Sequence, residues 1–156
     1  MNTTKATRRT TLAVGLALAL GLGITAQASA GAPRSVSGKP SDDITRIADF
    51  YGAYIDAKGD YEDPDGTLAT ALRRHYLTSD FAGRLAAWED KEHADGVLRA
   101  QNVPLAWKVT ANGTADHTEA VVTLTFGSGE TTQKTKLFVL LERYGHIADI
   151  TTTTNG

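Results

Sequence analysis

Two apolar runs close to the C-terminus, AVVTLTF at 120–126 and LFVLLERYGHIADI at 137–150, limit this chain more than any other feature. Both are rich in β-branched and aromatic residues. Gly127-Ser128-Gly129 and Tyr144-Gly145 stand where turns would fold them into successive antiparallel strands. Within the second run Leu137, Val139 and Leu141 alternate with Phe138 and Leu140, and Tyr144 falls on the side of the latter pair. Apolar side chains thus occupy both faces, so the expectation is that neither face is left in water and that Leu140 is buried. Helices should cover one face, and sheet curvature or a partner the other.

The segments upstream have helical period. Asp42 and Asp43 suit the positive end of a helix dipole, Ser41 is a candidate N-cap, and Ile44, Ile47, Ala48, Tyr51 and Ile55 recur at helical spacing before a stop at Gly59. Thr67 and Ser79 are expected to cap two further helices, carrying Leu68, Leu72 and Tyr76, then Phe81, Leu85 and Trp88. Pro104 disfavours helix at Val103, and from Leu105 the period changes to two, with Leu105, Trp107 and Val109 on one side of a strand. Three helices followed by four strands predict an α+β domain, its N-terminal helices packed on a curved antiparallel meander.

The first thirty residues read as an export signal: Lys5, Arg8 and Arg9, an apolar stretch from Leu12 to Ile24, and cleavage after Ala28-Ser29-Ala30. Arg8-Arg9 also resembles a twin-arginine signal, with Thr11 where that pattern prefers a large apolar residue. Both the twin-arginine and the general secretory route stay open, and a secreted or extracytoplasmic location is expected. Residues 31–40, broken by Pro33 and Pro40, are expected to be a flexible tether that adds nothing to folding, and 41–156 a single domain. Loss of the three basic signal residues from 16 leaves 13 against 18 acidic ones, a formal charge of −5, which speaks against nucleic acid as a partner. The chain has no cysteine, hence no disulfide and no cysteine-linked lipid anchor, and no run after the signal has the length of a membrane span.

The segments ADFYGAYIDA, HYLTSDFAGRL and DGVLRAQNVPLAWKV, with the two strand runs, together resemble the bacterial exported family called domain of unknown function 3828. The resemblance spans most of 44–152 and implies a cystatin-like, nuclear-transport-factor-like cone, in which helices are cupped by a curved sheet. It implies an exported location and no established activity. His146 departs from the pattern, since such domains commonly end on a tryptophan after the glycine turn.

A cone of this kind holds a pocket between helix and sheet, and the residues placed to line it are Tyr51, Gln101, Trp107 and Asp149, with Tyr54 and His75 as further polar candidates. Acid-base chemistry needs two such groups converging on one pocket, and Asp149 could serve as an inward base or sit at the rim. Trp88 and Trp107 suit a core, although Trp107 beside Gln101-Asn102 could line a pocket mouth. His75, His93, His117 and His146 are scattered and make no zinc spacing. The acidic loop DYEDPDG fails as an EF-hand, because Tyr61 and Leu72 would occupy ligand positions. GSG at 127–129 is a turn and not a phosphate loop, and Asn112-Gly113-Thr114 is turn chemistry. No cofactor, metal or catalytic set is expected. Two functions follow: a non-catalytic binding module for a small apolar ligand or a protein, or a small pocket enzyme of isomerase or dehydratase type. A buried Asp149 within reach of His or Tyr would favour the enzyme.

Overall fold

The computed structural model describes residues 36–112, 119–142 and 144–152. The expected export signal, the first half of the expected tether, His117 and Gly113-Thr114 lie outside these residues. Helix α1 (Asp43–Gly59) begins one residue later than Ser41 would set it, because the Asp42 carboxylate accepts from Thr45 N–H at 2.8 Å. In the loop before α2 (Thr67–Tyr76), Asp63 accepts from Thr67 and Leu68 N–H at 3.0 and 2.8 Å, doing from a distance the capping expected of Thr67. The acidic loop therefore turns its carboxylates on its own backbone, with Asp60 also accepting from Glu62 N–H. Helix α3 (Ser79–Glu92) is capped by Thr78 and not by Ser79.

Four strands follow in sequence order as one antiparallel meander: β1 (Ala106–Ala111), β2 (Glu119–Phe126), β3 (Gln133–Leu141) and β4 (Ile147–Thr151). Gly127 has to be glycine in the β2–β3 turn: its φ is 68°, and a Cβ would meet the Thr131 carbonyl oxygen at 2.6 Å. The expected α+β architecture is the observed one.

Register explains which face is core. Val122 pairs with Leu137, Ala120 with Val139 and Val139 with Ile150, and all of these are fully buried. Ile47, Phe50, Tyr51, Tyr54 and Ala57 of α1 close over them, joined by Phe81 and Leu85 of α3. The opposite face carries the pairs Val121–Phe138, Thr123–Lys136 and Glu119–Leu140. No helix covers it. Leu140 is accordingly 37% exposed and not buried as its composition suggested, while Val121 and Phe138 are half-buried. Threonines and lysines interspersed among these apolar groups let this face meet water without a second layer, as antiparallel sheets commonly do.

The stripe on α1 is also rotated from the one expected. Phe50, Tyr54 and Ala57 enter the core with Ile47 and Tyr51, whereas Ile44, Ala48 and Ile55 are only partly buried and lie toward β1. Aromatic bulk decides this: Phe50 lies 5.4 Å from the rings of both Tyr51 and Tyr54 and 5.2 Å from that of Tyr76.

Candidate functional site

The residues placed from sequence do not converge. Tyr51 is wholly buried, donating to the Val97 carbonyl at 3.3 Å, and burial first, then the nearby Asp95 charge, hold its phenol far above the usual range. Asp149 faces α3, where it takes Arg84 at 3.3 Å, and among the described residues no histidine or tyrosine bonds to it. Gln101 is exposed and reaches the His93 carbonyl at 3.4 Å. His75 is exposed against the Tyr76 ring. Trp107, expected in the core or at a pocket mouth, is 40% exposed on the edge strand β1.

A polar cluster that no motif announced lies between the helices. The Tyr54 hydroxyl donates to Asp95 Oδ2 and accepts from Arg73 Nε, both at 2.8 Å. Arg73 clasps Glu89 with two N–H groups at 2.9 and 2.5 Å, and Glu89 also takes Gly96 N–H. Asp95 Oδ1 caps the next turn by accepting from Val97 and Leu98 N–H, while Lys58 and Arg73 each stand 3.4 Å from Oδ2. The cluster floors an open cleft of about 580 Å³ that Gln101, Asn102 and His93 also line.

Its members serve one another. Burial and then Asp95 keep the Tyr54 phenol protonated well above its ordinary range. Burial alone would lower the Arg73 guanidinium, but the bond to Glu89 and the Tyr54 and Asp95 charges outweigh it and raise the value. Asp95 accepts three hydrogen bonds, from the Tyr54 hydroxyl and from Val97 and Leu98 N–H, and has two cations 3.4 Å from Oδ2. These groups join α1, α2, α3 and the 95–98 turn. Among the described residues no group of three histidine or acidic side chains could hold a metal ion.

A second site lies where α1 meets β1. The Trp107 ring rests on Gly52, where an added Cβ would lie 3.0 Å from the indole, so the missing side chain is what admits the ring. Clefts open on both sides of it. One, of about 360 Å³, runs between Ile44, Ala48, Val109 and residues 36–40; the other, of about 420 Å³, between Ile55, Pro104 and Leu105. Among the described residues the charged side chain lining the first is Asp49 and that lining the second is Asp56; Lys39, between Gly38 and Pro40, is not part of the lining. Val36, Ser37, Gly38 and Pro40, from the segment expected to be a tether, form a wall of the first cleft. From sequence, the signals for this site were Gly52 in an otherwise well-formed helix and the partly polar setting of Trp107.

No family model and no curated protein matches the chain. It is similar in fold to a crystal structure of a protein of unknown function from Bacteroides thetaiotaomicron VPI-5482, with a TM-score of 0.60 at 20% identity, over 70% of this chain and 88% of that one.

Proposed function

We propose that this chain is an exported, non-catalytic binding module of the kind that the domain of unknown function 3828 family represents, and that it takes an apolar ligand in the groove around Trp107. The observation that carries this reading is the indole itself. A large aromatic ring is held against a glycine on a rigid helix, two-fifths exposed, with a mainly apolar cleft on the Ile44–Val109 flank and a more polar one on the Ile55–Leu105 flank. Tryptophan in such a setting offers a large apolar surface with little conformational entropy to lose on binding. The Tyr54–Arg73–Glu89–Asp95 cluster supports the non-catalytic part, because its donors and acceptors already serve one another.

N-phenyl-1-naphthylamine, a neutral apolar fluorophore, tests the proposal. Its emission should rise saturably with the wild-type protein, and Trp107→Ala should weaken binding by about tenfold or more, equivalent to about 1.4 kcal/mol. Circular dichroism melts run in parallel would show that the variant is folded. Equal affinity in the folded variant, or no binding to the wild type, overturns the groove as the site.

A further inference from the structure

The two edges of the sheet are treated differently. Along β4 the outward carbonyls are occupied: Ile147 O accepts from Thr78 N–H at 3.0 Å, Ala148 O from Arg84 at 2.8 Å and Ile150 O from Arg99 at 2.5 Å. Arg99 is fixed for this task by stacking 4.2 Å above Trp88. Along β1, nothing among the described residues pairs with the outer edge. Asn112 N–H donates to Glu119 O, and the register Thr110–Val121 and Lys108–Thr123 continues that alternation. The even-numbered residues therefore bond to β2, and the N–H and C=O of Trp107 and Val109 face outward. Open edges are normally blunted by proline, bulges or charges aimed at the edge. Here the side chains on the helix side of that edge are Leu105, 70% exposed, Trp107 and Val109.

We infer that the outer edge of β1 receives an extended basic and apolar segment of a partner protein, which adds as a fifth antiparallel or parallel strand and lays alternate side chains into the Trp107 groove. This deepens the proposed function and rests on the same groove. Backbone pairing along Trp107 and Val109 would supply affinity, and alternate side chains specificity. Charge selects the occupant. Asp49 and Asp56 lie seven residues apart on α1, on either side of the indole, and among the described residues no basic side chain lines either cleft. A lysine or arginine entering beside Trp107 meets a carboxylate and an aromatic face together. A second copy of this chain suits the edge less well, since twofold pairing of two β1 strands would set two acid-rimmed α1 helices side by side.

The probe is a blocked octapeptide of alternating lysine and valine, titrated by calorimetry beside a glutamate–valine counterpart and a version N-methylated at alternate residues. The lysine peptide should bind. The glutamate peptide and the N-methylated peptide should each bind about tenfold more weakly or worse, as should the lysine peptide with Asp49→Asn/Asp56→Asn protein. Ala111→Pro, at the next residue of the same alternation and one that lines neither cleft, removes an outward N–H without cutting the ladder to β2, and should weaken the peptide while leaving naphthylamine binding intact. If the N-methylated and unmodified peptides bind equally, strand addition is overturned and the groove reading stands. The same holds if naphthylamine binds and no peptide does. If neither binds, both readings fall. Sedimentation showing a dimer that Ala111→Pro dissociates would overturn the partner segment in favour of a second copy.

Discussion

Leu137 and Leu140 lie three residues apart on β3, so their side chains leave opposite faces of the sheet. Leu137 is fully buried against Val122 and α1, whereas Leu140 is 37% exposed beside Glu119. Truncating Leu137 to alanine removes most of a side chain whose burial contributes about 1.5 to 3 kcal/mol, and leaves a cavity in the shared core that cannot fully collapse. The total cost should be about 2 to 5 kcal/mol, a large part of the 5 to 15 kcal/mol typical of a domain. Leu140→Ala loses a partly wetted surface and leaves no enclosed void, so it should cost about 1 kcal/mol or less. Urea unfolding followed by circular dichroism separates the two. With a slope of about 1 to 3 kcal/mol per molar, Leu137→Ala should lower the midpoint by about 1 M or more and Leu140→Ala by much less. Equal losses, or a larger loss at Leu140, would refute the assignment of faces.

The polar cluster makes a comparable prediction by another route. Asp95→Ala strips a mostly buried carboxylate from Tyr54, Lys58, Arg73 and two backbone N–H groups, and should cost about 3 to 5 kcal/mol by urea unfolding. Tyr54→Phe should cost about 1 to 3 kcal/mol, and the double variant less than the sum; strict additivity would show that the groups do not act as one network. Asp63 is held below the usual aspartate range by the Leu68 and Thr67 N–H groups, so it stabilises α2 above its unfolded value of about 3.9 and loses that effect as pH falls through the lower folded value. The melting advantage of wild type over Asp63→Ala should therefore be present at neutral pH and shrink on acidification below about pH 4; an advantage that grows in acid contradicts the cap. Gly52→Ala gains about 1 kcal/mol of helix propensity but pushes on the half-exposed indole, so the melting temperature should hold or rise while naphthylamine binding weakens. A fall of more than about 4 °C would show that Trp107 cannot move and belongs to the core.

Patterns of short range were legible, and distances across the chain were not. The strands at 120–126 and 137–150 stood out because a period of two over β-branched residues admits little else, and the helices because Ile47 and Tyr51 recur at the right spacing. Which way α1 turns was hidden, since Ile44, Ala48 and Ile55 compete with Phe50, Tyr54 and Ala57 on hydrophobicity and only ring packing decides. Leu140 misled because alternation marks a face as apolar without saying that a second layer exists to cover it. Tyr54, Arg73, Glu89 and Asp95 come from three helices and a turn, and no local spacing announces that they meet. Trp107 was singled out, but its exposure follows from the edge position of β1, a property of sheet order.

The proposed location of binding, at Trp107 and not over the Tyr54–Arg73–Glu89–Asp95 cluster, is most directly tested by amide chemical-shift mapping of the ¹⁵N-labelled protein during titration with N-phenyl-1-naphthylamine. The expected result is saturable shifts at the Trp107 indole N–H and at the backbone amides of Ala48, Gly52, Ile55, Leu105 and Val109. Shifts concentrated instead at Arg73, Gly96, Val97, Leu98 and Gln101 would contradict it and return the binding site to the polar cleft.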